Sequence, residues 1–323
     1  MVLATQKLGG ITGRGTSLRR MFRDVGRKPV PAVLVAAVAI AFSGILFRLA
    51  EVSAATGAFW RCAFALPPLW YLARREDRLY GPRTRRAQVL AWIAGAFFAA
   101  DLVLWHTAIE YVGAGLATVL GNTQVVLVGL LAWALLGERP HRSSLAAIPI
   151  VGFGIVLISG VLEEGAYGSN PKLGAVYGVL TGIAYSGFLL TLRQGSRDLR
   201  RFAGPLYTAT LSSAIGCAAI GLVQGELDLT PSWEATGWLI VLALSSQVVG
   251  WLLISASLPR LPAVVTSILL TLQPVCSVLF AALIVDESPS ALQLTGAACI
   301  LAGLVTATVG RRPAPAPEPE LAG

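Results

Sequence analysis

The sequence predicts an all-α membrane protein in which ten transmembrane helices form two inverted five-helix repeats. Three observations predict it: an apolar composition, ten apolar runs of spanning length, and polar residues that recur in register between the halves. Of 323 residues, 55% are hydrophobic and 13% charged, against roughly 45–50% and about 25% in soluble domains. Mean hydropathy is +0.70. The 34 glycines suit helices that pack closely within a bilayer. A net charge of +8 with a pI near 9.7 would fit a nucleic-acid binder. So apolar a chain lacks the polar surface for that role, and no nucleic-acid partner is expected.

Residues 1–30 form a basic segment (Arg14, Arg19, Arg20, Arg23, Arg27 and Lys28 among them) that is expected on the cytoplasmic side. No apolar core precedes residue 30, so a cleavable signal peptide is not read here; Met21 offers a second start. A span needs about 20 mostly apolar residues. Such runs occur at 31–50, 54–73, 88–109, 113–136, 144–162, 174–192, 204–223, 235–257, 261–285 and 290–310. They are twice the length of barrel strands and do not alternate, which excludes a β-barrel. Residues 311–323, with their alternating prolines, read as an extended cytoplasmic tail.

Basic residues collect in short cytoplasmic loops. With the N-terminus inside, the inner segments hold 22 of the 25 basic residues and only seven of the 17 acidic ones. Outer loops and span interiors hold Arg48, Arg61, Lys172 and the other ten acids. Both termini are therefore expected inside, and the +8 is a signature of topology. Cys62, Cys217, Cys276 and Cys299 all lie in apolar runs, so they read as small packing residues rather than a disulfide framework.

The fourth and ninth spans align at an offset of 149, with Gln124 on Gln273, Glu138 on Glu287, Pro140 on Pro289 and Gly154 on Gly303. Across 116–156 ten of 41 positions are identical. IAFSG at 40–44 matches IAYSG at 183–187, and Asp101-x3-Trp105 matches Gln247-x3-Trp251. The units are thus 31–161 and 174–310. Five spans is an odd number, so the second unit enters the membrane from the opposite side, an arrangement recurrent in secondary transporters.

Polar groups deep in a bilayer are costly and face a cavity or a partner. Asp101 lies about nine residues from the outer end of the third span, and Arg61 seven from that of the second. Asp101 is expected either to bind a coupling proton or a substrate amine, or to pair with Arg61. His106 lies about 140° around the helix from Asp101 and reads as a packing residue. Asn122 and Gln124 belong to a polar cluster in the fourth span that Thr271, Gln273 and Pro274 mirror in the ninth. Pro274 has no amide hydrogen, so the Leu270 carbonyl loses its helical partner. Symmetry-related polar breaks of this kind point to a transport site; the alternative is hydrogen bonding between helices. Tyr185, Gln247 and Trp251 complete the cavity candidates, with Trp105 as a second aromatic wall. Glu138 and Glu287, at span ends, read as caps or loop salt bridges.

Two five-span halves ending in LGERPHRSSLAAIPIVGFG (136–154) and VDESPSALQLTGAACILAG (285–303) resemble the EamA family of the drug/metabolite transporter superfamily. AFSG in the first span and FWRCAF at 59–64 are also similar to that family, and the resemblance covers about 31–310. The fourth span departs from it, with NTQ at 122–124 where a proline is typical. The resemblance implies a secondary carrier of the plasma membrane, multi-pass, moving a small metabolite, amino acid or drug-like solute by alternating access, most often outward. Its implied partners are that solute, the lipid bilayer and a coupling proton. No nucleophile–base pairing, metal spacing or phosphate-cradling glycine loop occurs, so no cofactor, metal or ATP drive is expected. The alternative is a non-transporting membrane protein such as a lipid-modifying enzyme. Glycine-rich faces pack equally well within and between chains, which leaves the oligomeric state open.

Overall fold

The computed structural model describes residues 29–137, 142–196, 198, 200–257 and 269–308. The basic N-terminal segment up to residue 28, Glu138, Pro140, Arg260 and the proline-rich tail lie outside the described residues. Among the described residues the chain is all-helical, with no strand. The first apolar run becomes α1 (Pro29–Ala41) and α2 (Ser43–Ala50). α3 (Ala54–Tyr80) and α4 (Arg85–Val112) follow. Next come α5 (Ala114–Gly121), α6 (Gln124–Leu136) and α7 (Arg142–Ile158). The second half holds α8 (Pro171–Gly195), α9 (Ala203–Gln224) and α10 (Trp233–Leu242). A π-helical segment, Ala243–Gly250, then leads into α11 (Trp251–Ser257). α12 (Leu272–Ile284) and α13 (Ala291–Thr308) close the chain.

Local chemistry sets the helix starts. Ser53, Thr84, Asn170 and Ser232 each accept a hydrogen bond from the amide three residues on, which satisfies one of the donors a helix leaves free at its N-terminus. Pro171 occupies the first turn of α8, where its missing amide hydrogen costs nothing. α3 runs to Tyr80, beyond the expected end of the second span at 73. Arg74, Arg75 and Arg78 therefore sit on helix rather than in a loop. α7 ends at Ile158, four residues short of the expected 162.

By length and composition five helical stretches suffice to cross a membrane: 29–50, 85–112, 171–195, 203–224 and 233–257. Four more are apolar but shorter. α3 falls outside both groups, because its apolar run carries Arg61 and ends in a cluster of charges. Trp70, Trp92, Phe97, Trp133, Leu222 and Leu283 lie on the surface. Apolar exposure on that scale is stable against lipid tails and a liability in water.

The halves interleave rather than forming separate bundles. α3 packs on α9, α5 on α12 and α7 on α13, each pairing one element with its counterpart in the other repeat. α4 packs on α8, and its counterpart, the Ala243–Ser257 stretch, packs on α1. These pairings map onto one another when the halves are exchanged. α7 and α13 approach each other closely: a Cβ on Gly154 would fall 2.6 Å from the Gly296 carbonyl oxygen, and one on Gly296 2.7 Å from that of Gly154. All four cysteines are free; Cys62 and Cys217 are fully buried, whereas Cys276 and Cys299 are only partly so. The packing role expected for all four therefore holds fully for the first pair.

Candidate functional site

Four interruptions of helical geometry surround the middle of the bundle. α1 and α2 part at Phe42, α5 and α6 at Asn122–Thr123, and a turn at Thr271 precedes α12. The fourth is the π segment, a geometry that recurs at functional positions. Each break has a local cause or compensation. The Asn122 side-chain amide donates to the Thr118 carbonyl at 2.8 Å, and the Thr123 hydroxyl to the Leu120 carbonyl at 2.7 Å. Pro274 cannot donate to residue 270, and the turn falls within that gap.

Between these breaks lies a partly open cavity. Arg61, Asp101, Asn122, Tyr185, Trp251 and Gln273 all line it. Three other expected residues do not. Gln247 stands behind the wall, fully buried, accepting from Arg61 Nε at 3.1 Å and donating to Thr210 Oγ1 at 3.1 Å. The Gln124 backbone carbonyl accepts from Ser186 Oγ at 3.4 Å. Thr271 sits in the turn before α12, outside the lining.

The cavity also takes Phe98, Leu102, Trp105, Thr118 and Thr181. Sequence reasoning named Trp105 as a wall and passed over the two threonines. The available signal was helical spacing: Thr118 stands four residues before Asn122, and Thr181 four before Tyr185, so each pair shares a helix face. Phe98, Asp101, Leu102 and Trp105 likewise form one stripe of α4. Ser43 also reaches the cavity, with its hydroxyl donating to the Ile40 carbonyl at 2.6 Å.

The expected Asp101–Arg61 ion pair does not form. No described residue places a cation within 4.0 Å of the Asp101 carboxylate or donates a hydrogen bond to it. Arg61 instead donates to Gln247, and through Nη2 to Ser246 Oγ at 3.2 Å. Its guanidinium carbon lies 5.8 Å from the Trp105 ring centroid. Two neutral acceptors on the π segment thus hold the guanidinium, and Asp101 and Arg61 both remain on the cavity wall.

An aromatic cluster closes one side. The rings of Phe98 and Phe188 stack with centroids 4.5 Å apart. Trp251 packs edgewise against Phe98, Phe188 and Tyr185 at 5.8, 5.3 and 6.1 Å. His106 lies outside this region, stacked on Phe47 at 4.0 Å with Nδ1 3.2 Å from the Ala54 carbonyl. Burial and stacking agree with its expected packing role.

Charged clamps stand at the two ends of the bundle. At one, Glu287 accepts from the amides of Ala114 and Gly115 at 2.7 and 3.1 Å and pairs with Arg48 at 2.9 Å. It is thus both helix cap and salt bridge. At the other, Glu76 accepts from the amides of Phe202, Ala203 and Gly204 at 3.1, 2.9 and 2.7 Å.

Known proteins share this architecture. The model of the EamA-like transporter family matches twice, over residues 27–160 and 172–309. The "Uncharacterized transporter sll1319" of Synechocystis sp. is 24% identical, with 86% of this chain and 92% of that protein covered. A protein crystal structure superposes with a TM-score of 0.59 at 16% identity, spanning 87% of this chain and 96% of its own. That likeness concerns the fold alone.

Proposed function

Because the chain belongs to the EamA-like transporter family, it is a membrane transporter and not an enzyme, and we propose that it is a secondary carrier working by alternating access about the central cavity. Family membership sets aside the lipid-modifying alternative. In the proposed topology ten spans cross the plasma membrane, both termini are cytoplasmic, and the units 31–161 and 174–310 are inverted. The bias of 22 of 25 basic residues to one side supports this orientation. So does the pairing of matched helices between the halves, since related halves can trade inward- and outward-open forms.

The observation that carries the reading is an unpaired carboxylate and a separately held guanidinium on one aromatic-walled cavity. Asp101 can receive an ammonium group or a proton, and Arg61 a carboxylate or another acceptor. Trp105, Phe98, Tyr185 and Trp251 offer apolar faces to the body of the solute. The substrate class that fits is a small solute carrying an amine, such as an amino acid, a related metabolite or an amphipathic amine, with efflux as the direction. Asn122, Thr118 and Gln273 supply hydrogen bonds from the wall. Gln247 holds Arg61 in place, while Gln124 and Thr271 act at the helix breaks.

The test is flux in proteoliposomes. Full-length protein should move at least one labelled member of a panel of amino acids and amphipathic amines, faster under an imposed pH gradient. Asp101→Asn should cut that flux about tenfold or more, the scale of one lost charged contact, and flatten its pH dependence. No flux across the panel overturns the carrier reading. An unchanged pH profile in the variant removes the proton role of Asp101.

A further inference from the structure

Arg83 lies in the loop between α3 and α4, at the arginine-rich end of the bundle. Its Nη2 donates to Thr208 Oγ1 at 2.9 Å, while Nε and Nη1 are buried with no hydrogen-bond partner. Buried guanidinium nitrogens without acceptors are rare and call for an explanation. The neighbouring acids are already engaged. Glu76 caps α9 through three amides. Asp77 accepts from Arg201 at 3.4 Å. Asp198 takes Arg200 at 2.9 Å and Arg201 at 3.2 Å, and the Arg200 hydrogen bonds hold its carboxyl at about 2, below its ordinary range. Arg201 itself is saturated by Asp77, Asp198 and the carbonyls of Tyr80 and Gly81. Positive charge on Arg83 is therefore left over.

Arg83 lines a cavity together with Thr84, Arg86 and Gln194. A second, larger cavity adjoins it across a shared wall of Ser196, Asp198, Arg201 and Pro205. Its remaining wall is mostly apolar, from Leu189, Leu192, Phe202, Leu206 and Trp251, with Arg193 at its polar end. Leu189 and Trp251 each stand six residues from the end of their helix, so the apolar cavity reaches ~9 Å inward at 1.5 Å per residue. A polar, cationic chamber opening onto an apolar one of that depth matches a headgroup joined to a hydrocarbon chain. Basic pockets between transmembrane helices are suited to anionic headgroups.

We propose that these joined cavities bind an anionic phospholipid, with its phosphate against Arg83 and Arg86 and an acyl chain between Leu192, Leu206 and Trp251. Arg83 Nε and Nη1 are buried, so a phosphate in the cavity supplies their missing acceptor through a turn of the guanidinium toward it. The chain fills apolar space that is separated from the transport cavity by Trp251, which lines both. A lipid there would brace α8, α9 and α11 against one another. Binding of this lipid depends neither on the proposed orientation nor on transport.

The experiment is ligand-induced thermal stabilisation of the full chain in detergent, titrated with phosphatidylglycerol, phosphatidylcholine or inorganic phosphate. Phosphatidylglycerol should raise Tm saturably, while phosphatidylcholine and phosphate should not. Arg83→Gln combined with Arg86→Gln should weaken the phosphatidylglycerol Kd about tenfold or more, roughly 1.4 kcal/mol. Leu192→Trp, which fills the apolar chamber and keeps every arginine, should weaken it as well and keeps the test decisive if the double variant does not fold. Equal stabilisation by phosphatidylcholine overturns the proposal. So does a wild-type Kd in either variant. Phosphate that stabilises as strongly as the lipid and competes with it would identify a free-anion site and overturn the lipid assignment.

Discussion

Asp101 and Arg61 face one cavity without touching, and this separation is the main residue-level consequence of the fold. Two neutral acceptors, Gln247 and Ser246, draw the guanidinium away from the carboxylate. Arg61→Lys places a single ammonium where two nitrogens of a planar fork bind two oxygens. At least one acceptor then loses its partner, and a stability loss of about 1–2 kcal/mol is expected, read as a lower Tm in detergent. Gln247→Ala should produce a similar loss and, by freeing Arg61, a change in solute KM. A KM equal to that of the unaltered protein would argue against the positioning role of Gln247. Burial of an Asp and an Arg inside apolar runs was legible in the sequence, as was the aromatic character of positions 105 and 251. The failure of the ion pair was not. It depends on which acceptors the eighth span turns toward Arg61, and the π segment decides that.

Among the elements, the helix breaks and the caps carry the most information. The polar cluster at 122–124 and Pro274 signal interruptions directly, because a freed carbonyl or a proline leaves a local mark. The break at Phe42 falls in the small-residue AFSG stretch, whereas the π turn at 243–250 has no such mark in its residues. The same contrast holds for Glu287. Its place at a span end suggested a cap or a salt bridge, yet the helix it caps, α5, lies more than 170 residues earlier in the chain. Glu287→Gln should remove the ion pair with Arg48 and weaken both amide contacts, at a cost of about 1–2 kcal/mol measurable by thermal unfolding. Gly113→Ala should be harmful as well: φ is +86° there, and a Cβ would lie 2.7 Å from the Glu287 carboxylate. The α7–α13 contact offers a paired test. Gly154→Ala pushes a methyl group onto the Gly296 backbone and should cost about 1–3 kcal/mol. Gly152→Ala, on the same helix with nothing within 4 Å, should leave Tm unchanged or raise it slightly.

For the molecule as a whole, the charge distribution makes a statement about orientation that can be checked in intact cells. Lys172 and Arg193 are both exposed and stand at opposite ends of α8. In the proposed topology, Lys172→Cys should react with an impermeant maleimide added outside, and Arg193→Cys only after permeabilisation, against the native chain as blank. The reverse pattern would invert the orientation. Apolar run length, charge bias and the in-register repeat were sufficient for the class of molecule and for its family resemblance, because hydrocarbon imposes constraints that act on short stretches of chain. The convergence of Arg61, Asp101, Asn122, Tyr185, Trp251 and Gln273 on one cavity required more. These residues come from six different helical stretches, and only packing between the repeats sets their separation. The +8 net charge and the ten apolar runs are properties of composition and local sequence, so the sequence alone determined them. Which acceptor holds Arg61, which helix Glu287 caps and where the cavities lie depend on contacts between residues more than a hundred positions apart, so only the tertiary structure could decide them.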